Sequence, residues 1–217
     1  MIEFNKVSHS YRIKSGWNHV LNDLSFQLHK GEKLGVIGKN GTGKSTLLRL
    51  ISGVEVPKEG DVVRRMSVSW PLAFGGAFQG SLSGLDNTRF ICRVYNKSLE
   101  GAEHYIQEFT ELGNYFYEPV KTYSSGMRAK LAFGISMLID FDCYLIDEIT
   151  AVGDANFQKK CDIELWEKKS SSAMIIVSHD ENVIKARCDK VLLLKKNMPH
   201  MLFGDAEEAY YVYNSDQ

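Results

Sequence analysis

Residues 34–51 read Leu34-Gly35-Val36-Ile37-Gly38-Lys39-Asn40-Gly41-Thr42-Gly43-Lys44-Ser45-Thr46-Leu47-Leu48-Arg49-Leu50-Ile51. A short apolar run delivers the chain to a glycine-spaced loop, and an apolar helical stretch begins at Lys44. That order is what phosphate binding requires. Glycines let the backbone curl with its N–H groups pointing inward, and a helix N-terminus adds more unpaired N–H groups to the same concavity. The cradle is expected to run from Gly38 through Lys39, Asn40, Gly41, Thr42, Gly43, Lys44 and Ser45 to Thr46. Lys44 is placed to reach the β- and γ-phosphates of a nucleoside triphosphate, and the Ser45 hydroxyl to ligate Mg²⁺.

Outside this stretch the chain is ordinary. Its 217 residues fit one domain, 44% are hydrophobic and 24% charged, and the net charge is −1. Such a balance excludes a chain that binds nucleic acid along its whole surface. No run of 18 apolar residues is long enough to span a bilayer. The start, Met1-Ile2-Glu3-Phe4-Asn5-Lys6, lacks the pattern of a signal peptide. Cys92, Cys143, Cys161 and Cys188 form no Cys-x-x-Cys pair, so reduced thiols in a cytosolic protein are expected.

Apolar and polar residues alternate over 2–7 and 19–28, as in half-buried antiparallel strands, with a turn at Lys14-Ser15-Gly16-Trp17-Asn18. Pro57-Lys58-Glu59-Gly60 reads as a turn and Asp61–Trp70 as one further strand. Residues 72–88 read as a long loop, Asp86 to about Leu112 as helical, and a helix is expected from Ser125 through Leu138. Three apolar runs then end in polar residues or loops: Cys143–Ile146 before Asp147-Glu148, Met174–Val177 before Ser178-His179, and Val191–Leu194. Continuous apolar strands separated by helices imply an α/β fold with a parallel sheet covered on both faces. Ligand groups belong at the carboxyl ends of such strands. Lys44, Asp147, Glu148 and His179 all fall there.

Asp147 can hold Mg²⁺ opposite Ser45, and Glu148, one residue on, is the natural general base for an attacking water. The same pair would also serve as a helix N-cap. His179 can hydrogen-bond a γ-phosphate, or else be a structural histidine.

With Tyr123-Ser124-Ser125-Gly126-Met127 added, the chain resembles the ATP-binding cassette family. The resemblance rests on an aromatic at Tyr11, the phosphate loop, that signature, Asp147-Glu148, Gly153-Asp154 and His179. It implies a phosphate-loop ATPase fold in a single domain over 1–217. Such a domain has a mostly parallel core sheet, an antiparallel β subdomain and a helical subdomain over roughly 80–140. It also implies ATP and Mg²⁺ as ligands, Tyr11 stacked on adenine, and two subunits packed head to tail. Each partner's Ser124, Ser125 and Gly126 would then meet the γ-phosphate. Ser125 and Met127 depart from the family's Leu-Ser-Gly-Gly-Gln. The glutamine that the family uses as a metal or water ligand has Gln79 as its candidate, close to the stretch 82–87.

Residues 69–84, 123–128 and 151–154 look like those of the ATPases that energise export of capsular polysaccharide. This implies integral membrane permease subunits as partners, the polysaccharide as an indirect substrate, and a peripheral place on the cytoplasmic face of the inner membrane. An O-antigen or teichoic acid export ATPase is the alternative within the family. Many O-antigen exporters append a carbohydrate-binding domain, for which a chain stopping at Gln217 is expected to have no room, and that favours the capsule branch. The apolar loop at 72–80, with Leu72, Phe74 and Phe78 in a stretch without charge, fits a docking surface for the membrane partner, or else folds onto its own core. A soluble cassette ATPase and a small-molecule kinase are the alternatives from other classes.

Overall fold

The computed structural model describes residues 1–72, 78–147, 154–196 and 199–215. They form two compact units, one of residues 1–69, 141–148 and 171–217, the other of 70–140 and 149–170.

In the first unit, β1 (Ile2–Ile13) and β2 (Gly16–Leu28) form a long antiparallel hairpin, and β4 (Glu59–Arg64) pairs with the other side of β1. The strands are longer than alternation alone predicts. At the turn only Lys14 and Ser15 separate the paired Ile13 and Gly16, and Gly16 takes a φ of 131° that glycine favours. The second sheet has the order β5-β6-β7-β3-β8-β9. Its strands are β3 (Lys33–Ile37), β5 (Val68–Pro71), β6 (Cys143–Asp147), β7 (Ala173–Val177), β8 (Lys190–Leu193) and β9 (Met201–Phe203). β6, β7, β3 and β8 run parallel, and β9 returns antiparallel to β8. The three apolar runs are thus strands, buried almost throughout, as both-face coverage requires. One core cluster joins Phe4, Val7 and Phe26 of the hairpin to Leu34, Leu145, Ile175 and Leu192 of the parallel sheet, with Leu47 and Leu50 of α1 (Lys44–Ser52).

The stretch expected as one strand over 61–70 is two strands in different sheets. The chain turns at Arg65-Met66-Ser67, where the Asp142 carboxylate accepts from Ser67 N (3.1 Å) and Ser67 Oγ (3.0 Å). These bonds hold Asp142 below the usual carboxylate range.

The second unit is helical. α2 (Gly84–Val94) begins inside the stretch expected to be loop. Ser83 caps it by accepting from Asp86 N at 3.0 Å, and donates to the Asp86 carboxylate at 2.7 Å. The helical stretch to Leu112 is two helices, α2 and α3 (Ala102–Thr110). Lys97 N closes back on Cys92 O, Asn96 has a positive φ of 52°, and Gly101, at φ 75°, starts α3. α4 (Ser125–Leu138) has the expected bounds. Phe109 of α3 stacks on Phe133 of α4 at 5.8 Å and meets Phe157 of α5 (Ala155–Asp162) edge-on at 5.3 Å. A π-helical turn, Ile163–Lys168, continues α5. Leu72 is only 2% exposed, so it belongs to a core rather than to an open docking loop, and Phe78 is half-buried. Phe74 lies outside the described residues. The first unit ends with α6 (Glu181–Arg187) and α7 (Ala206–Ser215).

Candidate functional site

The register of the parallel sheet collects the candidate residues of the first unit. Val36 of β3 pairs with Val177 of β7, and Val177 pairs with Asp147 of β6. Three strands therefore finish level. The loop from Gly38, the carboxylate of Asp147 and the Ser178-His179 turn all leave the same carboxyl edge. β7 separates β3 from β6, so Asp147 stands two strand spacings from the loop, about 10 Å along the sheet. Asp147, His179 and Ser45 are exposed there. Glu148 lies outside the described residues.

The loop is built as a backbone cradle. A Cβ on Gly38 (φ 154°) would sit 2.6 Å from Leu194 O and 2.7 Å from Thr42 Oγ1, so only glycine fits. Thr42 N and Oγ1 both donate to Lys39 O, at 3.3 and 2.9 Å, closing the turn. Gly43 is the N-cap of α1 and offers no side-chain cap. The first N–H groups of α1 thus lack the side-chain acceptor that Ser83, Ser124, Asp154 and Asp180 give to theirs. The Lys44 ammonium lies across the loop, donating to Gly38 O at 2.6 Å and Lys39 O at 3.2 Å. The uncapped start of a helix beside an ammonium is chemistry for a di- or triphosphate.

Among the described residues no group of three His, Cys, Asp or Glu could hold a metal on its own. One carboxylate and one hydroxyl at the same sheet edge are donors that Mg²⁺ accepts. That ion keeps waters and takes its remaining ligands from substrate phosphates.

Tyr11 stands on β1 opposite Asn18, half-exposed. Its hydroxyl donates to Glu55 Oε2 at 2.6 Å, accepts from Arg49 Nη2 at 2.8 Å and lies 3.2 Å from Thr46 Oγ1. Arg49 Nε donates to Glu55 Oε1 at 2.8 Å. Burial would raise the Glu55 carboxyl, but the Tyr11 hydroxyl and the Arg49 guanidinium hold it below its ordinary value. Sequence reasoning picked out Tyr11 and Thr46 and missed Arg49 and Glu55. Their signal is faint, an arginine in the last turn of α1 and a glutamate after its Gly53 cap.

The remaining candidates belong to the helical unit. Ser124 is the N-cap of α4, its hydroxyl accepting from Met127 N at 3.2 Å. A Cβ at Gly126 would meet only Ser124 Oγ, at 4.0 Å, so nothing in its own unit requires glycine there. Lys130 reaches the Asp154 carboxylate at 3.4 Å and lies 4.9 Å from the Phe157 ring centre. Asp154 caps α5, accepting from Asn156 N and Phe157 N. Gln79 has an exposed side chain, and its backbone is held at both N and O by the Asn87 amide.

The chain is 55% identical to the capsule polysaccharide export ATP-binding protein CtrD of Neisseria meningitidis serogroup B, over 99% of both chains. It is 45% identical to the polysialic acid transport ATP-binding protein KpsT of Escherichia coli, over the whole of both. Among solved structures, a dimeric post-hydrolysis state of the ATP-binding cassette MJ0796 bound to ADP and Pi has the same fold. The TM-score is 0.76 over 94% of this chain and 98% of that one, at 18% identity. The ABC transporter family model matches residues 21–151, from the hairpin through the phosphate loop and signature to beyond Asp147. A match of that length, carried by relatives aligned end to end, settles the membership: the chain belongs to the ABC transporter family.

Proposed function

We propose that this chain is the ATP-hydrolysing subunit of a transporter that exports a capsular polysaccharide. The observation that carries the reading is the 55% identity to a capsule polysaccharide export protein along the full length of both chains. Likeness confined to the phosphate loop and strand ends would reflect nucleotide chemistry alone. Likeness everywhere extends to the surfaces that meet partners.

In this reading Lys44 exchanges its two carbonyl partners for β- and γ-phosphate oxygens, and the N-terminus of α1 holds the β-phosphate. Ser45 and Asp147 hold Mg²⁺, with Gln79 as a further metal or water ligand. When bound there, the ion would neutralise phosphate charge. Glu148 takes the proton of the attacking water, and His179 hydrogen-bonds the γ-phosphate. Tyr11 is the platform for adenine. A second copy of the chain brings Ser124, Ser125 and Gly126. The Ser124 hydroxyl already accepts from Met127, so its own proton is available to a phosphate oxygen. Gly126 keeps the approach free of side-chain atoms.

Integral membrane permease subunits carry the polymer, and this chain works beside them at the cytoplasmic face of the inner membrane. Among the described residues no helix is long and apolar enough to cross a membrane. The experiment pairs co-purification from detergent-solubilised membranes with cell-surface polysaccharide in cells carrying only Glu148→Gln. The expected result is a complex with an integral membrane protein and loss of surface polymer. Wild-type polymer levels, or a chain that never co-purifies with a membrane protein, would point instead to a soluble cassette ATPase.

A further inference from the structure

The polar cluster of Tyr11, Thr46, Arg49 and Glu55 joins two parts of the first unit that the sequence keeps apart. Tyr11 belongs to β1, and Thr46 and Arg49 to α1, whose N-terminus is the phosphate cradle. Glu55 follows the α1 cap, its own N–H donating to Arg49 O at 3.2 Å. An aromatic side chain on a strand ordinarily turns about its first two torsions. This one is fixed at both ends. Its backbone is in the β1–β2 ladder, and its hydroxyl is shared by Glu55 (2.6 Å), Arg49 (2.8 Å) and Thr46 (3.2 Å). The His9 ring meets it edge-on at 5.0 Å, and His9 Nε2 lies 3.3 Å from the same Glu55 oxygen. Arg49 Nη2 reaches Thr46 Oγ1 at 3.3 Å, so the tie runs to the residue after Ser45.

We infer that Glu55 and Arg49 are positioning residues, which lock the Tyr11 ring at a set place relative to the phosphate cradle as a preorganised nucleobase platform. The inference rests on the ATP-binding reading above and adds residues that act through Tyr11. Fixing the ring before binding removes an ordering cost from the binding step, and losing one such anchor is worth about three- to tenfold in affinity. A stacked ring offers its face to any base, so adenine and guanine nucleotides gain alike.

The test compares MgATP, MgGTP and Mg-tripolyphosphate binding to the full chain by calorimetry. Tripolyphosphate fills the cradle and has no base to stack. The variants are Glu55→Gln, Tyr11→Phe and the double mutant. Each single change is expected to weaken both nucleotides about three- to tenfold and to leave tripolyphosphate within about twofold. The double mutant is expected to be no worse than the poorer single, because both break one linkage. Equal losses for nucleotide and tripolyphosphate would show that the cluster only braces α1, and would overturn the inference. Unchanged nucleotide affinity or fully additive losses would overturn it as well. If Glu55→Gln fails to fold, Arg49→Met makes the same comparison. Failure of the parent reading looks different, since the wild-type chain would then bind none of the three probes.

Discussion

Replacing Gly38 by alanine puts one methyl group where the phosphate loop leaves β3. That methyl would lie 2.6 Å from Leu194 O and 2.7 Å from Thr42 Oγ1, both well inside contact distance. Neither neighbour yields easily. Leu194 N donates to Ile37 O at 2.9 Å, which ties its backbone to β3, and Thr42 Oγ1 is engaged with Lys39 O. The backbone at φ 154° adds a conformation that side-chain-bearing residues avoid. Overpacking of this kind costs about 1–3 kcal/mol, and the strained backbone about 1–3 kcal/mol more. The sum, about 2–6 kcal/mol, lowers the melting temperature by roughly 4–24 °C in a chain of this size. Gly41→Ala is the control. Gly41 also has a positive φ, 80°, but no atom lies within 4 Å of its missing Cβ. Only the left-handed conformation opposes alanine there, at about 1–2 kcal/mol. Thermal unfolding by circular dichroism reads both variants, with MgATP titration as a second measurement. Gly38→Ala is expected to be the less stable and to lose nucleotide binding. Melting within about 2 °C of wild type, or above Gly41→Ala, would refute the tight closure of the loop on Leu194.

Lys44→Ala removes the cation that bridges the Gly38 and Lys39 carbonyls and is expected to weaken MgATP binding at least about 100-fold, measured by calorimetry. Glu148→Gln is expected to keep ATP affinity, lose about 10²–10⁴-fold in turnover, and accumulate an ATP-bound dimer on size-exclusion chromatography. Near-normal turnover would move the general base elsewhere, with His179 first in line. Stability should also depend on pH. Burial holds His200 below its ordinary pKa of 6.5, and Asn22 N donates to its Nε2 at 3.3 Å. The folded state therefore resists a proton that the unfolded chain accepts. The stability this gives is complete above pH 6.5 and falls as the pH drops below it. Urea midpoints at pH 7.5, 6.5 and 5.5 should show that loss, and His200→Gln should flatten it.

Much of the site was legible because short-range chemistry dictates it. A strand, spaced glycines, Lys44 and Ser45 work within one turn of backbone, so local order is enough to recognise them. The place of Asp147 and His179 at one sheet edge was legible for a related reason: apolar runs of strand length end in polar residues, and parallel strands present such ends together. The helix start at Gly84 was equally local, a serine followed three residues later by Asp86, yet the glycines and small residues around it made the stretch look like loop. The split of 61–70 had no local signal. The turn at Ser67 is held by Asp142, which lies far along the chain. Leu72 shows the same limit, since an apolar residue in a small-residue stretch reads as exposed until packing buries it.

What the sequence determined by itself was the glycine-spaced loop between a strand and a helix, the parallel α/β character and which strands carry polar ends. Each follows from periodicity or from contacts between near neighbours. Only the tertiary structure decided the register that levels Val36, Val177 and Asp147, and the cluster that fastens Tyr11 to α1 through Arg49 and Glu55. Those contacts join residues tens of positions apart. Their partners are chosen by which surfaces meet once apolar burial has folded the sheets, and no local pattern encodes that choice.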